Sequence, residues 1–287
     1  MKKVWKIATA FAVLLVFVFS GCGAKFDANK NVSVITRGEG SGTKSAFMEI
    51  IGLKGKKDVS GVIVAESTAQ VLKEVSSNPH AIGFDSLGFV DDTVKKLKVD
   101  GVEATAENIL SGTYKISRPL SVVYQESKLN DVNQAFLDFL KSADAQTIID
   151  KNGYVKTISD AAAYTKRGVS GEIAISGSTS LQPLMEKLAK AFEAIETGVN
   201  VMVGGGGSGT GYQNAENGVS DFGMISEAFQ SAKAPGCVSY RVALDGIAVI
   251  VNQQNPLEDI SMEQLKNIYD VDAGKNALKV WNQLLEA

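Results

Sequence analysis

Three segments rich in glycine, serine and threonine contain the residues of this chain that are best suited to binding chemistry. They lie at 37–43 (RGEGSGT), 177–180 (GSTS) and 204–211 (GGGGSGTG). Each follows a run typical of a strand and precedes a helical pattern. The first N–H groups of a helix have no partner inside it and carry partial positive charge, so this order directs backbone donors at a ligand. The three segments predict a site for an oxyanion.

The segment 37–43 adds side-chain donors and a cation to these backbone groups. The guanidinium of Arg37 presents a planar fork that matches two oxygens of a tetrahedral oxyanion. Ser41 and Thr43 contribute hydroxyl groups, and Gly42 lets the backbone approach a ligand closely. The net charge of the chain is only −3, so local dipoles and hydrogen bonds must bind the anion rather than a global field.

Strands that alternate with helices are predicted to position these segments. The runs typical of strands lie at 32–36, 62–65, 81–84, 94–102, 118–124, 172–176, 199–203 and 245–252. Helical periodicity follows most of them, and the stretch from 132 to 149 is predicted as one amphipathic helix. Residues 152–170 lose this periodicity and are predicted as a connector. The alternation predicts an α/β protein with mostly parallel sheets.

The first residues predict an exported protein. Two lysines and an apolar run to Phe19 precede Ser-Gly-Cys22, and the run is shorter than the roughly 20 residues that a membrane span needs. The residues before Cys22 resemble the bacterial lipobox, in which the cysteine becomes lipid-modified and N-terminal. We expect a signal peptide over 1–21, a lipid anchor on Cys22 and a tether over 22–30. An ordinary signal peptide or a buried apolar helix is the alternative.

The sequence disfavours several other classes of site. Cys237 follows Cys22 as the second and last cysteine, and His80 is the single histidine, so neither a zinc site nor a catalytic thiol is predicted. The glycine run at 204–209 fits the dinucleotide pattern formally, but no acidic residue stands at the end of a following strand. No glycine segment has the Gly-Lys-Ser/Thr of a P-loop, and the slightly acidic chain predicts no binding of nucleic acid.

A family resemblance rests on five segments taken together. They are ISGSTSL at 175–181, GGGSGTG at 205–211, DFGM at 221–224, DGIAV at 245–249 and RGEGSGT at 37–43. This set resembles the phosphate-binding proteins of ABC phosphate transporters, in the lipoprotein branch of Gram-positive bacteria. The resemblance implies a two-lobed periplasmic-binding-protein fold of type II, no cofactor and no catalysed reaction. The partners that it implies are inorganic phosphate and the membrane subunits of an ABC permease.

The resemblance also assigns roles to individual residues. The phosphate donors that it implies are Thr179, Ser180 and Ser208 from one lobe and Arg37, Ser41, Gly42 and Thr43 from the other. Glu39 stands where the family places an acid that pairs with the arginine. Many members have an aspartate shortly after the DFG-like segment that accepts a proton from phosphate. Here that position is Ser226, with Glu227 next to it, so the proton acceptor differs from the family pattern.

The two halves of the chain stand in exchanged order. The family places the GSTS half first and the arginine half second, whereas this chain begins with the arginine half. We interpret the exchange as a circular permutation, which compact proteins tolerate because their termini often lie close together. One lobe is then predicted over 116–254 and the other over 30–115 plus 255–287, with hinges at the crossings near 115 and 253.

Three alternatives to a phosphate receptor stay open at this point. A receptor for sulfate, molybdate or tungstate would use a similar site, and a hydrogen-bond acceptor in the cleft would distinguish phosphate, which carries a proton, from fully ionised sulfate. An exported phosphoester hydrolase would need a metal cluster or an activated nucleophile, which the sequence does not suggest. An adhesion or sensing module could retain the fold without transport.

Overall fold

The computed structural model describes residues 25–286, so the predictions of a signal peptide and of a lipid anchor on Cys22 lie outside the described residues. The elements of the first half are β1 (Ser33–Arg37), α1 (Gly42–Ile50), β2 (Ile63–Ala65), α2 (Thr68–Ser77), β3 (Ala81–Ser86), β4 (Val94–Lys96), β5 (Lys98–Val99), α3 (Ala106–Leu110), β6 (Ser117–Tyr124), α4 (Asp131–Leu140) and α5 (Ala143–Lys151). Those of the second half are β7 (Ser170–Gly177), α6 (Gln182–Ile195), β8 (Gly198–Gly206), α7 (Ser208–Asn217), β9 (Phe222–Ile225), β10 (Val238–Asn252), β11 (Asp259–Ile260), α8 (Met262–Tyr269) and α9 (Asn282–Leu285).

The fifteen-residue strand β10 joins two groups of strands. Its residues 238–246 pair antiparallel with β6, and its residues 247–252 pair antiparallel with β3 and β4. On one side β1 lies parallel to both β2 and β3, and on the other β7 lies parallel to both β8 and β9. The partner change falls between 246 and 247, earlier in the chain than the crossing expected near 253.

Two large hydrophobic cores accompany the two groups of strands. The first draws on both ends of the described chain, because Phe47 and Phe84 share it with Leu265 and Trp281. The second is built from residues between 120 and 243 and is centred on aromatic side chains such as Phe136. Near the first core the chain ends pair, since Val32 N–H donates to the carbonyl of Lys279 at 2.8 Å.

Side-chain caps explain where the helices begin. Ser41, Ser67 and Ser261 each accept a hydrogen bond from the backbone N–H three residues later, at the first turns of α1, α2 and α8. The prediction of a single helix over 132–149 is wrong in one respect, because the structure has two helices there, α4 and α5. Ser142 ends one and begins the other, since its hydroxyl donates to the carbonyl of Phe139 and accepts from the N–H of Ala145.

The α/β class predicted from the sequence is confirmed, with an addition that the sequence did not indicate. Parallel strands bounded by helices form the outer part of each strand group, whereas the centre, around β6 and β10, is antiparallel. None of the helices within residues 25–286 is long and apolar enough to cross a membrane.

Candidate functional site

Arg37 ends strand β1 and lies at the contact between the two groups of strands. Its side chain is buried, with 2% of the residue exposed. The guanidinium Nε donates to the carbonyl of Ala65 at 3.1 Å, and Nη2 donates to the hydroxyl of Thr179 at 3.0 Å. The remaining nitrogen, Nη1, is buried and has no hydrogen-bond partner among the described residues. A buried donor without a partner is costly, so this nitrogen points to an acceptor supplied by a ligand.

Hydroxyl groups from both halves of the site meet next to Arg37. The Thr43 and Ser180 hydroxyls lie 2.9 Å apart, and the Thr68 hydroxyl lies 3.1 Å from that of Thr179 and 3.4 Å from that of Ser180. The sequence prediction missed Thr68. A sequence pattern could have indicated it, because Ser67 and Thr68 follow strand β2 and begin α2, in the same strand–turn–helix order as the three predicted segments.

A second contact joins the glycine segments of the two halves. The N–H of Gly209 donates to the carbonyl of Gly40 at 2.9 Å. The Ser208 hydroxyl accepts from the Ser226 N–H at 3.0 Å and lies 3.3 Å from the Ser226 hydroxyl. A Cβ atom added to Gly42 would lie 2.3 Å from Ser208 Oγ, so a glycine is required for this approach. Ser208 and Ser226 therefore belong to the same cluster as Gly42.

The starts of helices contribute backbone donors to this cluster. Helix α1 begins at Gly42, and Ser41 caps it by accepting from the N–H of Lys44 at 3.3 Å. Helix α7 begins at Ser208, and Ser180 lies in the turn that leads into α6. The start of a helix carries partial positive charge, so these three ends together favour an anion between the two halves.

Glu39 does not pair with Arg37, so the pairing that the resemblance implied is wrong. Its side chain is 94% exposed, and its carboxylate accepts from Lys44 Nζ at 2.8 Å. Lys44 is also held by Asp58 at 2.7 Å. The direction of the Glu39 side chain follows from this lysine, which attracts it away from the buried guanidinium.

Glu227 is buried beside the cluster and forms an ion pair with Lys233. Its carboxylate accepts from Lys233 Nζ at 2.6 Å and from the side-chain amide of Gln230 at 3.2 Å. It lines a cavity of about 390 Å³ together with Gly40 and Ser41. Glu227 therefore stands at the edge of the candidate site, whereas Ser226 stands inside it.

A buried ion pair lies behind the cluster, where β6 and β10 pass between the two groups of strands. Arg118 and Asp245 are joined at 3.0 Å with their side chains 1% and 0% exposed. Asp245 also accepts from the Ser86 hydroxyl at 2.8 Å, and Arg118 Nη1 donates to the carbonyl of Ser226 at 3.0 Å. Burial raises the pKa of Asp245, and Arg118 opposes the rise.

Asp85 is a second buried carboxylate that the sequence prediction missed. It lies near the end of strand β3 with none of its surface exposed, and burial raises its pKa to about 8, against the opposing charge of Arg37. Burial likewise lowers the pKa of Arg37, and the charge of Asp85 opposes that change. The signal was an aspartate inside an otherwise apolar strand, AIGFDS.

The described residues contain no group of three histidine, cysteine, aspartate or glutamate side chains placed to hold a metal ion. Cys237 is buried, and burial raises the pKa of its thiol to about 11. The geometry is that of a site rich in hydrogen-bond donors, with one unpartnered guanidinium nitrogen at its centre.

Comparisons with known proteins agree with this geometry. A family model described as a PBP superfamily domain matches residues 20–144 and 162–287. Phosphate-binding protein PstS 2 of Streptococcus agalactiae serotype V is 35% identical over 278 residues, which cover 93% of this chain and 94% of that protein. The chain belongs to the PBP superfamily and to its PstS phosphate-binding proteins. The family predicted from the five sequence segments is thus confirmed.

A solved PstS-type structure extends this result to the fold. The crystal structure of a phosphate ABC transporter's phosphate-binding protein from Streptococcus pneumoniae TIGR4 superposes with a TM-score of 0.70 and 32% identity. The superposition covers 88% of this chain and 99% of that chain. The predicted two-lobed fold of the type II periplasmic binding proteins is confirmed.

A further relative is similar to less than half of this chain. PstS of Bacillus subtilis is 33% identical over 129 residues, which cover 44% of this chain and 42% of that protein. The circular permutation inferred from the exchanged order stays a prediction.

Proposed function

We propose that this protein captures inorganic phosphate between its two lobes and delivers it to an ABC permease, without catalysing a reaction. One observation carries the proposal. Arg37 Nη1 is buried without a hydrogen-bond partner among residues 25–286, next to hydroxyl groups that come from both lobes. An oxyanion at this position would accept from the guanidinium and from several neutral donors at once.

The donors proposed for phosphate are Arg37, Ser41, Gly42, Thr43, Thr179, Ser180 and Ser208. Most are neutral, so the single guanidinium and the helix ends supply the positive potential. Such a site suits an anion whose oxygens each need hydrogen bonds. Thr68 joins this set because its hydroxyl contacts those of Thr179 and Ser180.

The acceptor for the phosphate proton is proposed from the residues after strand β9. Ser226 lies in the cluster, and its hydroxyl can accept as well as donate. Glu227 contributes a carboxylate at the edge of the cavity, with Lys233 holding it in position. A carboxylate there would repel sulfate, which has no proton to share, more than it repels a protonated phosphate.

The lobes predicted over 30–115 plus 255–287 and over 116–254 are proposed with one change of bounds. The second crossing lies where β10 changes partner, between 246 and 247, so residues 247–254 belong to the lobe of Arg37. Two contacts support this division. The N–H of Trp281 donates to the carbonyl of Lys30, and Leu265 of α8 shares a core with Phe47. The hinges are then the start of β6 and the centre of β10.

We propose further that the mature protein is extracytoplasmic and held at the cell membrane by a lipid on Cys22, after removal of the signal peptide 1–21. Residues 22–30 would be the tether, and the membrane subunits of the permease would be the protein partners. Cell fractionation of a Cys22→Ser variant tests the anchor. The variant should leave the membrane fraction, and retention there would contradict a lipid anchor.

Titration calorimetry with phosphate, sulfate and molybdate tests the ligand. Arg37→Ala should weaken phosphate binding by about 1.5–3 kcal/mol, which is roughly ten- to a hundredfold, because charge-assisted hydrogen bonds are lost. Arg167→Ala is the matched control, since Arg167 pairs at the surface with Asp138. Equal affinity for sulfate or molybdate would identify a receptor for another oxyanion. Wild-type affinity in Arg37→Ala would remove Arg37 from the site.

A further inference from the structure

Asp85 lies beside Arg37 on the neighbouring strand. Strands β1 and β3 are parallel, with Ser33 opposite Ala81 and Val34 opposite Ile82. Three further residues along this register bring Arg37 level with Asp85. Residues at the same level of neighbouring parallel strands point to the same face, and both side chains are buried there. The register thus gives the buried guanidinium an acid on the adjacent strand.

The hydrogen bonds of Asp85 leave half of its carboxyl group free to act on this neighbour. Its Oδ1 accepts from the backbone N–H of Ser86 at 2.8 Å. Its Oδ2 is buried and has no hydrogen-bond partner within the described part of the chain, as is true of Arg37 Nη1. An unpartnered donor, Arg37 Nη1, and an unpartnered acceptor, Asp85 Oδ2, therefore belong to side chains at the same level of the sheet.

We propose that Asp85, and not Glu39, is the acid that positions Arg37 and reduces its attraction for anions, so that phosphate binding is coupled to protonation of Asp85. This inference rests on the proposed function. Asp85 acts through Arg37 as a positioning residue and makes no contact with phosphate. Glu39 is excluded from this role because Lys44 holds it at the surface.

The charged and titratable groups that face Asp85 come from several elements. Arg37 on β1 and Arg118 on β6 favour its ionised form, whereas Asp245 on β10 opposes it. Tyr154, after α5, is buried nearby and stays neutral, because burial raises its pKa above the usual range. With a pKa of about 8, Asp85 is largely protonated at pH 7 and largely ionised at pH 9.

Phosphate binding and protonation of Asp85 then favour each other. A bound anion disfavours a second negative charge nearby, so phosphate favours the protonated carboxyl group. By linkage, the protonated carboxyl group favours phosphate to the same extent. When Asp85 ionises, it compensates the charge of Arg37, and less positive potential remains for the ligand. Phosphate binding above pH 8 should therefore take up a proton.

Titration calorimetry in buffers of different ionisation enthalpy tests this coupling between pH 7 and pH 9. Wild-type protein should take up as much as about one more proton per phosphate than Asp85→Asn at pH 9. Relative to Asp85→Asn, the wild-type Kd should rise by up to about tenfold between these pH values, because one group titrates near pH 8. Comparison with the variant cancels the ionisation of phosphate itself.

Glu66→Gln and Glu39→Gln are matched controls, since both side chains are exposed. Glu66 is a carboxylate whose charge acts on Arg37, and Glu39 is the acid that the resemblance paired with it. Both variants should retain the wild-type proton uptake. Asp85→Ser replaces Asp85→Asn if the asparagine variant does not fold. Wild-type uptake and pH profile in an Asp85 variant that still binds phosphate would overturn the inference and leave the proposed function intact. Absence of phosphate binding by the wild-type protein would instead overturn the proposed function.

Discussion

Gly42→Ala should prevent the two lobes from closing on a ligand. The added Cβ would lie 2.3 Å from Ser208 Oγ and 2.8 Å from Ser226 Oγ, both across the cleft. With the Ser208 side chain in its present rotamer, where it accepts from the Ser226 N–H, reaching 3.4 Å requires the lobes to separate by about 1.1 Å along the line to Ser208. The backbone at 42 has helical geometry, so alanine introduces no backbone strain there.

The expected loss of phosphate affinity follows from the hydrogen bonds that this separation breaks. Three hydrogen bonds of 2.9–3.0 Å cross the cleft, from Arg37 to Thr179, between Thr43 and Ser180, and from the N–H of Gly209 to the carbonyl at 40. A lengthening of about 1 Å takes each beyond hydrogen-bond distance. At about 0.5–1.5 kcal/mol each, their loss destabilises the closed form by about 1.5–4.5 kcal/mol. Phosphate affinity should fall roughly ten- to a thousandfold.

Calorimetric titration with phosphate measures the loss, and thermal unfolding without phosphate provides the control. Because the variant has alanine in place of glycine in a helix, its stability without ligand should not fall. Gly209→Ala is a graded comparison, since its Cβ would lie 3.3 Å from the Cα of Gly40 and so be tight without overlapping. Unchanged phosphate affinity in Gly42→Ala would contradict the close approach of Gly42 to Ser208 and Ser226 in the phosphate-bound form.

Three further predictions concern buried and partly buried carboxylates. Asp245→Asn should reduce the free energy of unfolding, measured in urea, by about 3–5 kcal/mol, because it leaves the charge of the buried Arg118 uncompensated. Asp138→Asn removes a surface ion pair and should reduce it by at most about 1 kcal/mol. Equal losses in the two variants would contradict a buried ion pair. Between pH 3.8, its usual pKa, and about pH 8, Asp85 is protonated in the folded protein and ionised in the unfolded chain. Its contribution to the free energy of unfolding is therefore complete below pH 3.8 and falls by about 1.4 kcal/mol per pH unit up to about pH 8. Urea denaturation of Asp85→Asn at several pH values should lack this slope, and its persistence would assign the slope to another group. Glu227→Gln should reduce the preference for phosphate over sulfate in competition titrations, and an unchanged ratio would exclude Glu227 as the proton acceptor.

Local patterns predicted most of the elements because each pattern had its own physical cause. Glycine and hydroxyl residues at helix starts indicated the anion site, because the first N–H groups of a helix are available to a ligand. The break between α4 and α5 was missed because the apolar spacing continues through Ser142, and periodicity does not reveal a cap inside a regular pattern.

Long-range contacts explain what the sequence could not give. The length of β10 depends on pairing with β6, β3 and β4, and none of these partners is visible in its own residues. The direction of Glu39 depends on Lys44, and the importance of Asp85 depends on a register between strands that are about fifty residues apart. These features arise from tertiary packing, so residue type and spacing alone do not predict them.

The pairing of the chain near Val32 with the chain near Lys279 has a consequence for the order of folding. The Phe136 core is built from residues between 120 and 243, so it can assemble before the residues that follow are available. The Phe47 core needs Leu265 and Trp281, and it must wait until both ends of the chain have emerged. Closing a loop of this length carries a large entropic cost before its contacts form. The arginine lobe should therefore be the slower to fold and the first to be lost when residues near 281 are removed.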